Sequence, residues 1–261
     1  MLTGTAVAVH DGRPNFWAGL GALAVGLAMQ LGVNFANDYS DHVRGADRIR
    51  TGPVRAASSG IVAPDHVRWA AVVSFGAAAA AGLALSIAVD RRLLLVGAAS
   101  ILAGWLYTGG PRPYGYLGLG EVFVFVFFGL VATTGTEYVE TGRITGLGVL
   151  MGCGTGFLAS AILVLNNLRD VDTDRTANKR TLATRIGRQG TRWLLAAFVA
   201  AAFAVLLLAG AWPGLLAMPI ALVAVAGAFT TTSPPLLVRA LQTMAIAELA
   251  YALLFTLWVL L

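Results

Sequence analysis

The sequence predicts an all-α, multi-spanning transmembrane helical bundle. Of its 261 residues, 57% are hydrophobic and only 12% are charged, and the mean hydropathy is +0.76. Soluble domains carry about 25% charged residues, so this composition excludes an ordinary soluble protein. Long apolar segments recur along the chain without the apolar-polar alternation of barrel strands. Helices are therefore the only spanning structure that the sequence supports.

Eight apolar segments follow the first ten residues. They cover residues 15–37, 67–89, 92–108, 118–136, 145–167, 191–210, 212–231 and 241–260. Residues 1–10 are apolar but too short to cross a bilayer, which takes about 20 residues. They also lack the basic region and cleavage site of a signal peptide. We interpret them either as the end of a helix with a truncated beginning or as a short surface segment, and we expect residues 1–261 to form one transmembrane domain.

The basic residues predict the orientation of the loops between these segments. Fourteen of the 18 Lys and Arg residues fall in odd-numbered loops, and only Arg13, Arg91, Arg92 and Arg143 lie on the other face. Because cytoplasmic loops are enriched in Lys and Arg, the odd-numbered loops are expected to be cytoplasmic. The sequence thus predicts a multi-pass protein of the cell membrane. Its net charge of +5 comes without a basic-aromatic groove, so nucleic acid is not an expected partner.

A polar motif ends the first apolar segment. It reads N-F-A-N-D-Y-S-D-H-V-R-G-A-D over residues 34–47, and Asn34, Asp38 and Asp41 are spaced i, i+4 and i+7 on one helical face. Carboxylates at a membrane boundary are costly and usually functional. An amide and two carboxylates on one face are suitable oxygen ligands for a hard divalent cation.

A similar motif ends the fifth apolar segment. It reads N-N-L-R-D-V-D-T-D-R over residues 166–175, and Asn166, Asp170 and Asp174 are spaced i, i+4 and i+8. The two motifs start 132 residues apart and fall on the same predicted face of the membrane. We expect them to belong to an internal duplication whose halves face each other across a cavity.

Two facing oxygen clusters beside several arginines predict a site for Mg²⁺ and a diphosphate. The metal bridges carboxylates to phosphate oxygens, and Arg or Lys neutralises the remaining charge. The chain lacks a G-x-x-x-x-G-K-[S/T] loop, which disfavours an ATP-driven P-loop protein. A diphosphate leaving group on a lipid is therefore favoured. Candidates to line a cavity for its hydrocarbon tail are Phe123, Phe125, Phe127 and Phe128.

The loop over residues 107–121 is unusually constrained. It reads Y-T-G-G-P-R-P-Y-G-Y-L-G-L-G-E, with five glycines, two prolines and three tyrosines. Such a loop ends one helix and starts the next tightly while presenting polar and aromatic groups. The alternative is a tight interfacial turn with a tyrosine belt.

Four blocks of the sequence resemble the UbiA superfamily of intramembrane prenyltransferases. They are N-F-A-N-D-Y-S-D with a following G-A-D, G-P-V-R, the loop over residues 107–121, and N-N-L-R-D-V-D-T-D-R-x-x-x-K-R-T-L-A. The Y-T-G-G-P and N-N-L-R-D-V-D-T-D blocks most resemble the 1,4-dihydroxy-2-naphthoate polyprenyltransferase branch, which serves menaquinone synthesis. The blocks occur in the family's order over roughly residues 2–205. The resemblance implies a nine-helix fold, of which eight helices are visible.

The resemblance also implies an activity and its residues. The expected reaction is Mg²⁺-dependent transfer of a polyprenyl chain from an allylic polyprenyl diphosphate to dihydroxynaphthoate, with release of diphosphate and CO₂. The residues that it implies for the metal and diphosphate are Asn34, Asp38, Asp41, Asp47, Asp170 and Asp174. Further expected substrate contacts are Arg55, Asn166, Lys179 and Arg180. Tyr107 and Arg112 are expected near the reacting carbon or the acceptor.

Several alternatives remain at this stage. The nearest alternative is a UbiA-type enzyme with a different substrate. The candidates are 4-hydroxybenzoate, homogentisate, a haem or chlorophyll precursor, or a phosphoribosyl donor. The CDP-alcohol phosphotransferases are disfavoured because their D-G-x-x-A-R signature is missing. A transporter is a third class. It is disfavoured because charged residues of transporters lie near the membrane midplane, whereas the aspartates of this sequence lie at the ends of apolar segments. His42 is a weak functional candidate, and Asp172 is expected to be solvated.

Overall fold

The computed structural model describes residues 1–12, 14–45 and 55–261. Within these ranges the chain forms nine helices and no strand, which confirms the predicted all-α bundle. The helices are α1 Leu2–His10, α2 Phe16–Val43, α3 Pro64–Ala88, α4 Leu93–Leu106, α5 Gly120–Thr141, α6 Gly146–Thr176, α7 Leu182–Leu208, α8 Met218–Thr230 and α9 Pro234–Leu260. Short 3₁₀ turns, Tyr114–Leu117 and Trp212–Ala217, precede α5 and α8, and α5 contains a π-helical turn at Phe125–Val131.

Seven of these helices are long and apolar enough to span a membrane, when the turn Trp212–Ala217 is counted with α8. The exception among the eight predicted segments is α4, which has only 14 residues. It ends before the predicted boundary because the chain turns at Gly110, whose φ of +75° is unfavourable for residues with a side chain. The chain is therefore a multi-pass membrane protein.

The first ten residues form a helix that is packed against the bundle. Thr3, Gly4, Val7 and other residues of α1 are buried, and the helix contacts α5, α6 and α9. The alternative of a short surface segment is therefore wrong. A segment of this length is too short to be a stable isolated helix, so its packing stabilises it.

Two different kinds of packing divide the bundle. Helices α6 to α9 share one large apolar core, which includes Leu158, Leu195, Met244, Tyr251 and Phe255. Helices α2, α3 and α4 share only small apolar clusters. A cavity lies between the two halves, with lining residues from α2, α3, α4, α5, α6 and α9.

The helices that carry the polar motifs begin at well-defined caps. The side chain of Asn15 accepts a hydrogen bond from the backbone N–H of Ala18 at the start of α2. The hydroxyl of Thr145 accepts one from the N–H of Gly148 at the start of α6. Such caps satisfy backbone donors that a helix leaves unpaired. Both helices then run without interruption to their polar ends, so the register of each motif is fixed.

We expect Gly129→Ala to destabilise the protein. A Cβ atom on Gly129 would lie 2.7 Å from the carbonyl oxygen of Gly152 and would collide with the Cα of Gly156, so α5 and α6 would have to separate. Overpacking of this kind costs about 1–3 kcal/mol of unfolding free energy. Thermal denaturation in detergent measures it. Gly135→Ala on the same helix is the control, because no atom lies within 4 Å of the added carbon; equal stability of the two variants would contradict the prediction.

Candidate active site

The two aspartate motifs open into one cavity of about 1250 Å³. The motif residues that line it are Asn34, Asp38 and Asp41 from α2, and Asn166, Asp170 and Asp174 from α6. Both motifs therefore border one cavity, as expected, and the internal duplication stays a prediction. The spacing of three or four residues within each motif favours this arrangement, because it keeps the side chains on one face of each helix.

Asp38 is buried, and the hydrogen bonds of its carboxylate go to one of the two oxygens. Its Oδ2 accepts hydrogen bonds from the backbone N–H groups of Ala56, at 2.8 Å, and Ala57, at 3.3 Å. Its Oδ1 is buried and has no hydrogen-bond partner among the described residues. Buried carboxylate oxygens are nearly always paired, so Oδ1 is suited to bind a cation that enters the cavity.

Asp41 is surrounded by donors and cations. Its Oδ1 accepts hydrogen bonds from the hydroxyl of Tyr116, at 2.6 Å, and from Nζ of Lys179, at 3.0 Å. Its Oδ2 lies 3.4 Å from Nη1 of Arg55. Burial, together with the neighbouring Asp41 carboxylate, raises the pKa of Tyr116, so the phenol remains a donor. Nζ of Lys179 also lies 4.7 Å from the centre of the Tyr116 ring. The cationic side chains of Lys179 and Arg55 are therefore held beside Asp41 at the polar end of the cavity.

The carboxylate of Asp170 is paired with Arg169. The guanidinium of Arg169 contacts both oxygens of Asp170, with Nε lying 2.7 Å from Oδ1, and Nη2 donates to Oδ1 of Asn166 at 2.9 Å. The Arg169 side chain is only 2% exposed. A buried arginine is thus fixed beside the second motif, with its charge balanced by one carboxylate.

Aromatic side chains form one wall of the cavity. Tyr107 and Tyr114 meet edge to face at 5.5 Å, Tyr114 stacks on Phe123 at 3.8 Å, and Phe123 stacks on Phe127 at 6.1 Å. Phe128 also lines the cavity. The wall leads from the polar end of the cavity into its apolar part.

The UbiA prenyltransferase family matches residues 1–233 of the chain. This chain belongs to that family. It is 47% identical over 225 residues to the 1,4-dihydroxy-2-naphthoate octaprenyltransferase of Mycobacterium leprae, covering 84% of this chain and 76% of that protein. It is 43% identical over 258 residues to the protein of the same name from Mycobacterium tuberculosis, covering 97% and 88%. A UbiA homologue from Archaeoglobus fulgidus, solved with GPP and Mg²⁺, shares the fold with a TM-score of 0.63 at 14% identity, covering 100% of this chain and 95% of that one.

Four residues singled out in this UbiA-family sequence do not line the cavity. The side chain of Arg112 is exposed on the turn after α4, and that of Arg180 is exposed although its neighbour Lys179 points inward. The backbone N–H of Lys179 donates to the carbonyl oxygen of Asp174, and that of Arg180 donates to the carbonyl oxygen of Tyr116. Phe125 packs against Phe157 instead, at 4.9 Å. His42 also lies outside the lining.

Two acidic residues remain to be placed. Asp172 is solvated, as expected: its side chain is 72% exposed and pairs with Arg188 at 2.7 Å. Asp47 lies outside the described residues, and so do the first three residues of the G-P-V-R block.

Some lining residues of this UbiA-family site were not singled out from the sequence. Tyr116 and Arg169 contact the aspartates, and the hydroxyl of Thr108 donates to Oδ1 of Asn37 at 2.8 Å, joining α2 to the loop after α4. Arg169 had a detectable signal, because it lies three residues after Asn166 on α6, a spacing that places side chains in contact. Tyr116 and Thr108 gave no such signal, since their contacts cross between distant segments.

The metal-binding capacity of the site resides in separate carboxylates. Across residues 1–12, 14–45 and 55–261, no three His, Cys, Asp or Glu side chains lie close enough together to hold a metal ion by themselves. Mg²⁺ commonly uses only one or two protein carboxylates, with waters and substrate phosphates completing its shell. The unpaired Oδ1 of Asp38 and the carboxylate of Asp174 facing the same cavity are suitable for that kind of binding.

Proposed function

We propose that this chain transfers a polyprenyl group from an allylic polyprenyl diphosphate to 1,4-dihydroxy-2-naphthoate, with release of diphosphate and CO₂, in menaquinone synthesis. The convergence of two acidic helix ends on one cavity with an aromatic wall is the observation that carries the proposal. The relatives at 43% and 47% identity, both named 1,4-dihydroxy-2-naphthoate octaprenyltransferase, support the same acceptor.

The polar end of the cavity is proposed to bind the diphosphate through Mg²⁺. The oxygens of Asp38, Asp41, Asp170 and Asp174, with the amide of Asn34, would hold the metal. The bound metal supplies positive charge that stabilises the departing diphosphate. The Archaeoglobus fulgidus homologue was solved with GPP and Mg²⁺ bound together, which supports this use of the site.

The protein's own cations share in binding the diphosphate. Lys179 and Arg55 lie beside Asp41, and Arg169 lies beside Asp170, so each is already positioned when the substrate arrives. Such fixed charges stabilise a developing anion without further reorganisation. The allylic C–O bond breaks, and its electron pair leaves on the diphosphate.

The apolar part of the cavity is proposed to hold the prenyl chain and the acceptor ring. Phe123, Phe127 and Phe128 exclude water from the allylic carbon, which shields a cationic centre from hydrolysis. The ring carbon of the naphthoate that bears the carboxylate forms the new C–C bond with its π electrons. Loss of the carboxylate as CO₂ restores the aromatic ring. Tyr107 lines the cavity and contacts Tyr114, which supports a role for it beside the reacting carbon.

The positive-inside rule supports a location in the cell membrane with the active site facing the cytoplasm. The helix ends that carry both motifs belong to the face that holds most of the basic residues. A water-soluble acceptor and the released diphosphate would then enter and leave on the cytoplasmic side.

The test uses membranes that contain the full chain. They receive dihydroxynaphthoate, octaprenyl diphosphate and Mg²⁺, and prenylated naphthoquinone is measured by mass spectrometry. We expect product that disappears with EDTA and returns with excess Mg²⁺. Parallel reactions with 4-hydroxybenzoate and homogentisate test the alternative acceptors. Product from either of these, and none from dihydroxynaphthoate, would overturn the acceptor assignment, and turnover insensitive to EDTA would overturn the role of the metal.

A further inference from the structure

A buried carboxylate and carboxamide form a pair behind the aromatic wall of the cavity. Glu121, in the first turn of α5, is 4% exposed, and Asn167, in α6, is 7% exposed. Nδ2 of Asn167 donates a 2.9 Å hydrogen bond to Oε1 of Glu121. Oε2 of Glu121 is buried and has no hydrogen-bond partner within the part of the chain that the structure describes. Glu137 and Glu140 share this feature, and Glu121 is distinguished from them by its bond to Asn167, which lines the cavity.

Glu121 determines the orientation of the Asn167 amide. Because Nδ2 of Asn167 donates to Glu121, the oxygen of the same amide is turned away from Glu121. Asn167 lines the cavity, whereas Glu121 lies behind it. The hydroxyl of Ser160 also donates to the backbone carbonyl of Glu121 at 3.1 Å, which ties the start of α5 to α6. The amide oxygen of Asn167 is thereby left to accept a hydrogen bond from a ligand.

The neighbouring asparagine has a different partner. Oδ1 of Asn166 already accepts a hydrogen bond from Arg169 and belongs to the diphosphate end. Asn167 is bonded instead to the carboxyl group of Glu121. Asn166 and Asn167 therefore offer different contacts to a ligand. Asn166 lies beside a cation that attracts anions, whereas the amide oxygen of Asn167 can accept a hydrogen bond from a neutral donor.

Tyr107 lies next to this pair. A Cβ atom on Gly120 would be 3.6 Å from the hydroxyl oxygen of Tyr107 and 3.2 Å from Cδ2 of Leu163, which precedes Asn167 by one turn of α6. Burial, followed by the charge of Glu121, raises the pKa of Tyr107, so its phenol stays protonated. Tyr107 thus lies beside the start of α5, and both Tyr107 and Asn167 line the cavity.

We propose that Asn167 binds the aromatic acceptor and that Glu121 positions Asn167 for this contact. The amide oxygen of Asn167 accepts a hydrogen bond from a hydroxyl group on the acceptor ring, which lies along Tyr107 and Tyr114. The assignment rests on the proposed prenyl transfer and adds to it, because it separates recognition of the acceptor from recognition of the diphosphate. A dihydroxylated ring carries donors for this site, whereas a polyprenyl diphosphate carries none.

The experiment measures KM separately for dihydroxynaphthoate and for octaprenyl diphosphate in membranes with the full chain. The variants are Asn167→Leu, Glu121→Leu, the double variant and Glu121→Gln. Thr134→Val is the control, because it removes a polar group on α5 that bonds only to its own helix, at the carbonyl of Leu130. Replacing both partners of a buried hydrogen bond leaves no stranded group, so the double variant is expected to fold.

We expect Asn167→Leu and the double variant to raise the KM for dihydroxynaphthoate about tenfold or more, because a site built to bond a hydroxyl discriminates strongly. The KM for octaprenyl diphosphate should stay within about twofold of the wild type. Glu121→Gln can still accept a hydrogen bond from Asn167, so its KM for dihydroxynaphthoate should be close to that of the wild type.

Inhibition by 1-hydroxy-2-naphthoate, which lacks one hydroxyl, and by 4-hydroxy-2-naphthoate, which lacks the other, identifies the bonded group. At least one analogue should bind the wild-type protein more weakly than the diol, and Asn167→Leu should abolish that difference.

Three outcomes would overturn the assignment. A wild-type KM for dihydroxynaphthoate in the double variant would mean that the pair is only structural. An effect confined to octaprenyl diphosphate would place Asn167 at the other substrate. Absence of any prenylated naphthoquinone from the wild-type membranes would overturn the proposed function and this assignment together, whereas the first two outcomes leave the proposed function standing.

Discussion

Replacement of Asp38 by asparagine is expected to lower kcat for prenyl transfer by about 100- to 1000-fold, the usual effect of losing one electrostatic contact to a transition state. The substitution is selective. An asparagine oxygen can still accept the N–H groups of Ala56 and Ala57, so the anchoring of this segment persists. The second oxygen, which in Asp38 is buried and has no hydrogen-bond partner among the described residues, becomes an uncharged NH₂ group. The proposed metal contact and the negative charge are lost.

Asp172→Asn is the matched control for this change. It removes the same charge from a residue two positions after Asp170, but the side chain is 72% exposed and pairs with Arg188 outside the cavity. Its kcat should remain within about twofold of the wild type, since surface ion pairs contribute little. Steady-state rates at saturating Mg²⁺ and thermal stability are measured for both variants. Wild-type turnover of Asp38→Asn would exclude Asp38 from the proposed diphosphate site.

The positions of the aspartates could be predicted from the sequence because helical periodicity alone determines them. Asn34, Asp38 and Asp41 occupy one face of α2 whatever the rest of the bundle does. Hydropathy then locates the helix ends, and the two motifs must meet if the halves pack against each other. The same periodicity shows why Phe125 does not line the cavity: it lies two residues from Phe123 and Phe127, on the other side of α5.

The loop residues could not be placed in this way. Lys179 and Arg180 are adjacent in the sequence, and only Lys179 lines the cavity; their backbone N–H groups bond to Asp174 and Tyr116, and Nζ of Lys179 contacts Asp41. The contacts of Asp38 with Ala56 and Ala57 depend likewise on how the loop after α2 folds back. Such contacts arise from tertiary structure and leave no periodic signal in the sequence.

The extent of the helices was predicted less well than their number. Residues 92–108 are apolar enough for a span, but α4 stops at Leu106 because the glycines and proline that follow turn the chain. Helix α1 shows the opposite deviation, because a helix forms where the segment is too short to span the membrane. Its nine residues are too few to be stable alone, and packing on α5, α6 and α9 stabilises them. Hydropathy alone therefore predicts neither the end of α4 nor the existence of α1.

Replacement of Lys179 by methionine is expected to raise the KM for the polyprenyl diphosphate by at least tenfold. Nζ of Lys179 is held 3.0 Å from Asp41 and above the ring of Tyr116, so its charge is fixed at the polar end of the cavity before the substrate binds. Hydrogen bonds to charged groups contribute about 1.5–3 kcal/mol, which corresponds to roughly 10- to 150-fold in binding. Asp41 retains Tyr116 and Arg55 as partners, so the carboxylate is not stranded and the fold is preserved.

Arg180→Met is the adjacent control, because it removes the same charge from a side chain that points out of the cavity. We expect its KM for the polyprenyl diphosphate to stay within about twofold of the wild type, as for other exposed charges. Lys179→Arg distinguishes charge from shape: a planar guanidinium keeps the charge but does not reproduce the point contact of an ammonium, so partial recovery is expected. If Arg180→Met raises the KM and Lys179→Met does not, the two cations have been assigned to the wrong sides of the loop, and the diphosphate binds outside the cavity.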